Sequence, residues 1–409
     1  MQSVVVARFR QAIVVGFLAL ALVAVSLFAP ATAGAVIDSA VIVPSPNAGT
    51  INDGLKSVSC VSESFCVAIG YTRSGSGDSV LIQSWNGSVW SVVPSPNTGS
   101  VNDYMMSVSC VSESSCVAAG YADIGSRIVT LVESWNGFVW SIVPSPNAGA
   151  TSDALLSVSC ASPTSCVAVG VSDSGSGVGT LVESWNGSVW SVVPSPSPGS
   201  FYDQLFSVSC PSASSCVAVG RTSTGGSFST LVESWNGSAW SVVPSPNVGA
   251  TDQVLESVSC LNGSSCVAVG NIDTGSRLLT LVESWNGSTW SVVPSPNVTT
   301  HQDRLSAVSC MSASSCVAVG TSNASSRPMT LVESWDGSAW SVVPSPNATQ
   351  SIDALRDVSC VTTSRCTAVG YSYDNVGKTL IESLTGPEPA PTTTSLPTPA
   401  DPVVPAFTG

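Results

Sequence analysis

The tetrapeptide Ser-Val-Ser-Cys, or a close variant, recurs every fifty residues, ending at Cys60, Cys110, Cys160, Cys210, Cys260, Cys310 and Cys360. A fixed period of this length makes each copy one supersecondary unit that buries its apolar surface only against its neighbours. The period also sorts the residues. Groups present in every copy belong to the scaffold. A ligand or a reaction has one centre, so function has to be sought where the copies differ.

Valine, tryptophan and threonine are frequent within a copy, and clusters of Gly, Pro, Asn and Ser punctuate them. No segment holds a helical period, so an all-β unit is expected. In the second copy the segments around Ser107–Cys110, Cys116–Gly120, Thr130–Trp135 and Val139–Pro144 read as strands a, b, c and d of an antiparallel sheet. Trp-Asn-Gly recurs between c and d at Trp85, Trp135, Trp185, Trp235 and Trp285, and as Trp335-Asp336-Gly337. Asn-Gly predicts a type I′ hairpin with both residues at positive φ. Trp85 opposite Ser88 would then make Trp85 and Trp90 diagonal neighbours.

Each copy carries a Cys-x5-Cys pair: Cys60/Cys66, Cys110/Cys116, Cys160/Cys166, Cys210/Cys216, Cys260/Cys266, Cys310/Cys316 and Cys360/Cys366. In an exported chain these read as disulfides across the a–b hairpin. Zinc would want four ligands per site, and the chain has one histidine, so no metal is expected.

Residue size changes across the unit. Strands a and b use Ser, Val, Cys, Ala and Gly, whereas c and d use Leu, Val, Glu and Trp. Sheets set radially around an axis crowd at the centre and diverge outward, which suits small inner and bulky outer strands. The Pro94/Pro96 pair, repeated in each copy, suits an edge strand because proline donates no ladder hydrogen bond. The last copy stops after Thr379–Leu384 without a strand d, and the missing segment stands near the start as Ser39–Pro46. The expected fold is therefore a seven-bladed β-propeller of four-stranded antiparallel blades, the last blade closed by the N-terminal strand.

Residues 1–35 read as a secretory signal: Arg8 and Arg10, an apolar run from Ala12 to Phe28, and two A-x-A cleavage sites, Ala31–Ala33 and Ala33–Ala35. The propeller is assigned to residues 36–386. From Gly386 on, Pro and Thr dominate, so residues 387–409 read as an extended, disordered tail. Removing the leader leaves 10 of the 12 basic residues against 26 acidic ones, a net charge of −16. That balance excludes nucleic acid and anionic lipid as partners. A secreted, extracellular monomer with no membrane contact after cleavage is expected.

The turn Ser84-Trp-Asn-Gly-Ser-Val-Trp90 resembles the Asp-box of sialidase-like propellers, Ser-x-Asp-x-Gly-x-x-Trp, one residue shortened and with Asn for Asp except at Asp336. The unit also resembles kelch-type repeats. Over residues 39–386 the array is similar to tandem repeats of secreted bacterial proteins with no assigned activity. The resemblance implies architecture only, since the Asp-box is a structural motif in that family.

Most eye-catching polar groups repeat. Glu133, Glu183, Glu233, Glu283, Glu333 and Glu382 share one strand-c position, Gln83 in the first copy, and are expected to accept from a backbone or indole N–H. Asp53, Asp103, Asp153, Asp203, Asp303 and Asp353, with Asp252 shifted by one, read as turn caps. No catalytic residue, nucleophile elbow, phosphate loop or cofactor motif stands out. The d–a and b–c loops vary between copies and should share one face. That face carries Tyr104, Phe201, Tyr202, Arg221, His301, Arg304, Tyr371 and Tyr373, the candidate binding residues. The leading reading is a non-catalytic surface-interaction module for an extracellular protein or glycan. The rivals are a lectin with aromatic pockets between blades, and a glycoside hydrolase or lyase, which needs two converging carboxylates.

Overall fold

A computed structural model describes residues 36–387, apart from 76, 150, 200, 249–250 and 324–326. The expected leader, and all but the first residue of the expected tail, lie outside the described residues. No helix among the described residues is long and apolar enough to cross a membrane.

Every unit is a meander of neighbouring antiparallel strands in the order a-b-c-d. In the first unit these are Asn52–Ser62, Phe65–Arg73, Asp78–Trp85 and Trp90–Val93. In the seventh, strands a, b and c are Ile352–Thr362, Arg365–Asp374 and Val376–Thr385. Ser39–Ile42 pairs with that strand c as Ser39↔Thr385, Ala40↔Leu384, Val41↔Ser383 and Ile42↔Glu382. It occupies the place that strand d holds in the other units, where Trp85 pairs with Trp90 and Gln83 with Val92. Strand a of the first unit also bridges strand c of the seventh in parallel, Asn52↔Gly377.

The strands are apolar on both sides because each sheet is covered on both sides. Strand b shows how. Its small residues Cys66 and Ala68 face a core shared with Val369 and Ile381 of the seventh unit. Its larger Val67 and Ile69 face a core shared with Met105, Ala118 and Trp140 of the second. Large residues of one unit therefore pack on small residues of the next, the interdigitation that native packing density requires. Equivalent cores lie at the successive seams, and the one between the last and first units is built like the rest.

The Ser-Val-Ser-Cys motif works at these seams. Ser59 Oγ accepts the N–H of Cys110 in the next unit at 3.0 Å, and Ser109, Ser159, Ser209 and Ser259 do likewise. Ser309 accepts from Cys360, and Ser359 accepts from Cys60 at 3.0 Å, joining the seventh unit to the first. The other motif serine bridges in the same way, as in Val108 N–H to Ser57. At the sixth seam Ala307 has no hydroxyl to offer. There the Val358 N–H turns to Asp357 instead, and Asp357 also accepts from Ser57 Oγ and Val58 N–H.

All seven expected disulfides are present: Cys60–Cys66, Cys110–Cys116, Cys160–Cys166, Cys210–Cys216, Cys260–Cys266, Cys310–Cys316 and Cys360–Cys366. Each closes the end of an a–b hairpin. In six units the two cysteines are register partners. In the fourth, the ladder skips from Ser209↔Val217 to Ser212↔Ser215, and the bond from Cys210 to Cys216 spans the gap. Among the described residues no cysteine is free.

The c–d turn departs from expectation. Trp85 and Trp90 are direct partners, not diagonal ones, and the loop between them has four residues. Only Gly87 takes a positive φ, 91°. Asn86 stays in the ordinary region because its Oδ1 accepts the N–H groups of Ser88 and Val89, both at 3.0 Å. Asp336 serves as well because only an acceptor is needed. The paired indoles pack tilted against each other, with centroids 5.6–5.8 Å apart and planes 37–42° from parallel.

Candidate binding site at the central cavity

The site begins with an irregularity in strand a. Its pairing with strand b skips one residue, running Leu55↔Gly70 and then Ser57↔Ile69, so residue 56 has no partner. The same bulge recurs in every unit. A bulge bends its strand and re-aims the extra side chain. It also presses the preceding carbonyl onto strand b, so that a Cβ on Gly170 would lie 2.0 Å from Ala154 O. Only glycine fits there, which explains the Gly that ends Cys-Val-Ala-Val-Gly.

The re-aimed positions are Lys56, Met106, Leu156, Phe206, Glu256, Ser306 and Arg356. Together with Gln204 and Arg304 they line one cavity of about 290 Å³. The re-aimed residue of strand a contributes to it from every unit. Position 55 is Leu or Met in every unit and an unvarying Val-Ser-Cys begins at position 58, yet no two units share a residue at position 56.

The cavity gathers charge against the balance of the chain. Lys56, Arg304 and Arg356 line it against one carboxylate, Glu256. Burial holds the Lys56 ammonium down to about 8, with Arg356 and Arg304 adding repulsion. Burial raises the Glu256 carboxyl, and Arg304, Arg221 and Arg356 pull it back. Burial and Arg356 lower Arg304. Among the described residues the ion pairs within 4 Å are Arg73–Asp78 and Arg365–Glu63, so none of these cavity charges is paired.

Aromatic rings hold the cations in place. The Arg221 guanidinium lies 4.2 Å from the Phe228 ring centroid, 5.2 Å from Tyr202 and 5.4 Å from Phe206. Arg356 lies 5.2 Å from the Tyr371 centroid and donates to its hydroxyl at 3.0 Å. Lys56 is 5.8 Å from the centre of Tyr71. Arg304 Nε donates to Thr321 at 3.0 Å. Beside the cavity, and sharing Lys56 and Met106 with it, a second hollow of about 300 Å³ is walled by Tyr71, Tyr104 and Tyr121. There the Tyr104 hydroxyl donates to the buried Asp78, which also holds Arg73. Burial, and then that hydrogen bond, raise Tyr104.

Of the eight residues singled out from the sequence, Arg304 lines the cavity, Tyr371 holds its Arg356, and Arg221 with Tyr202 lies just outside it, against the cavity residue Phe206. Tyr104 walls the tyrosine hollow. Phe201, His301 and Tyr373 are exposed and line neither. Lys56 and Phe206 end two of the variable d–a stretches, Thr50–Lys56 and Ser200–Phe206, but were not singled out from them, and Glu256 and Arg356 were missed. Their signal was present: the residue before Ser-Val-Ser-Cys differs in every copy.

The repeated carboxylates are scaffold. The six strand-c glutamates are fully buried, but their donor is neither a backbone nor an indole N–H. Each accepts from the serine of the Pro-Ser-Pro strap leaving the preceding unit, Ser95 to Glu133 and so on to Ser345 to Glu382, at 2.5–3.1 Å. The indole of Trp85 donates instead to the Glu63 carbonyl. Asp53 caps its turn by accepting from Gly49 N–H. In the fifth unit Gln253 takes that part with Val248 N–H, and Asp252, not a shifted cap, accepts from Phe228 N–H as Asn102 does from Asp78.

Two further hollows of about 250 and 260 Å³ lie at the opposite end of the sheets, at the seams between units seven and one and units five and six. They are walled by disulfides and by Trp85 and Trp90, or Trp285, Trp335 and Trp340. The Cys110–Cys116, Cys160–Cys166 and Cys210–Cys216 bonds line neither hollow. Cys166 and Cys216, like Cys116 and Cys210, are buried and line none of the cavities described, and Cys316 is buried too, although its partner Cys310 walls the second hollow. They pack instead into the cores at the seams, Cys166 with Ala119 and Val132, Cys216 with Val169 and Val182, and Cys316 with Val269 and Val282. These cysteines therefore brace the hairpin ends and touch no ligand site.

No family model matches the chain, and no curated protein does. Among solved structures the chain is similar to one described as "YCF48 bound to D1 peptide", with a TM-score of 0.51 and 12% identity over 88% of this chain and 100% of that one. At that identity the likeness is one of fold, and the chain is an all-β propeller-repeat protein.

Proposed function

We propose that the chain is a secreted, closed seven-bladed propeller that binds, without catalysis, a segment of another protein at the central cavity. One observation carries this reading: the single re-aimed position that differs in all seven units also gathers cations in an acidic protein. Closure is supported by the seven Ser-to-Cys bridges and by the pairing of Ser39–Ile42 with Val376–Thr385. Export is supported by the seven disulfides. The similar YCF48 structure holds a peptide, which favours a protein partner over a glycan. Paired-carboxylate hydrolysis finds one carboxylate at the cavity, Glu256.

The test is parallel screening of the full mature protein against displayed peptides and against a glycan array. Peptide capture is expected. It should be lost when Lys56, Glu256 and Arg356 are replaced by serine, the residue that the sixth unit already carries as Ser306. Multivalent glycan signals that survive those changes would overturn the reading in favour of a lectin using the tryptophan-walled seams.

A further inference from the structure

We infer that the central cavity recognises the carboxylates of an acidic peptide, whose apolar side chains lie along Met106, Leu156 and Phe206. This rests on the binding reading above and names its ligand class.

The chemistry follows from what is left unpaired. Lys56, Arg304 and Arg356 face the cavity with one carboxylate among them and no ion pair within 4 Å among the described residues. Bringing like charges together out of water is unfavourable, and a carboxylate relieves it. Arg356 is held by the Tyr371 ring and one hydrogen bond, and Arg304 by one hydrogen bond to Thr321, which leaves donors free for fork-like pairing. The Nε atoms of Arg221 and Arg356 are buried without a hydrogen-bond partner. Orphaned donors of this kind mark a place where an acceptor belongs.

The other anions fit less well. Acidic sugars would stack on aromatic faces, but those of Tyr202, Phe228 and Tyr371 are occupied by arginine and that of Tyr71 by lysine. Nucleic acid needs a basic track along the surface, whereas these cations converge in a hollow of about 290 Å³. Peptide supplies what remains: carboxylates for the cations, and aliphatic or aromatic groups for the apolar wall. Both described chain ends, near Ile37 and Gly386, lie by the a–b and c–d turns, at the opposite end of the sheets.

The experiment uses the mature protein and a pool of random octapeptides, affinity-selected and read by mass spectrometry, with free and amidated C-termini in separate arms. Acid-rich sequences are expected to be enriched on the native protein. A free-terminus preference would assign the carboxylate to the chain end, and equal arms would assign it to Asp and Glu side chains. Arg304→Gln with Arg356→Gln should weaken binding of a recovered acidic peptide about tenfold or more. Glu256→Gln should tighten it, a gain that misfolding cannot mimic. Peptides recovered without acidic preference, or unchanged binding to the Glu256→Gln protein, would overturn the inference while leaving peptide binding intact. No recovery above a blank surface would overturn both.

Discussion

Glu183 and its five equivalents are costly residues to bury. Burial raises their carboxyls to about 7, against the smaller opposing pull of the serine hydroxyl. Gln83, already neutral, donates to the Pro46 carbonyl at the equivalent place in the first unit. A raised carboxyl means that the folded chain holds protons the unfolded chain has released. The stability these groups contribute is present below the ordinary carboxylate range, near 4.5, and is lost as pH rises through about 7. Replacing Glu183, Glu233 and Glu283 together by glutamine should therefore raise Tm at pH 8 and leave it nearly unchanged at pH 5. Calorimetry at the two pH values checks this, and a lower Tm at pH 8 would contradict it. The structural role of these residues was legible from their repetition. Their partner was not, because the Pro-Ser-Pro strap reaches them across a seam that no local pattern encodes. The Asn-Gly turn misled for a related reason: the Asn side chain does the capping that a second positive φ would otherwise do.

The bulge in strand a is the element on which the site depends. Apolar alternation located the strands but not the slipped register, since residue 56 sits between two stretches that each alternate correctly. What marked it was variability next to the constant Val-Ser-Cys phrase, together with the glycine inside strand b. Gly170→Ala places a methyl 2.0 Å from Ala154 O, so one of the two strands must shift. Forced overpacking of this kind costs about 1–3 kcal/mol. A urea melt should show the loss, whereas native stability would mean that the bulge relaxes freely. The disulfides were readable from spacing alone, because five intervening residues bring the two cysteines together at the end of a and b. Closing so small a loop stabilises by about 2 kcal/mol each.

At the scale of the whole molecule, the repeat makes the frame and its exceptions make the site. Seven copies supply equivalent seams, while position 56 supplies seven different side chains to one hollow. The frame was legible because it is written seven times: the strand count, the cysteine pairing and the detached last strand can all be read from copies of one phrase. The site was only half legible. Variable loops directed attention to Phe201, His301 and Tyr373 at the exposed rim, whereas the convergent residues lay within a strand. The account rests on ring closure, and amide hydrogen exchange reads it most directly. Asp38 and Val43 donate to Thr385 O and Ile381 O at 3.0 and 2.9 Å. Their amides should be protected like those of strand d in other units, and deleting residues 36–47 should expose residues 376–385 to exchange and lower Tm. Exchange of residues 38–43 at the rate of an unstructured peptide, with no change at 376–385 on deletion, would contradict it.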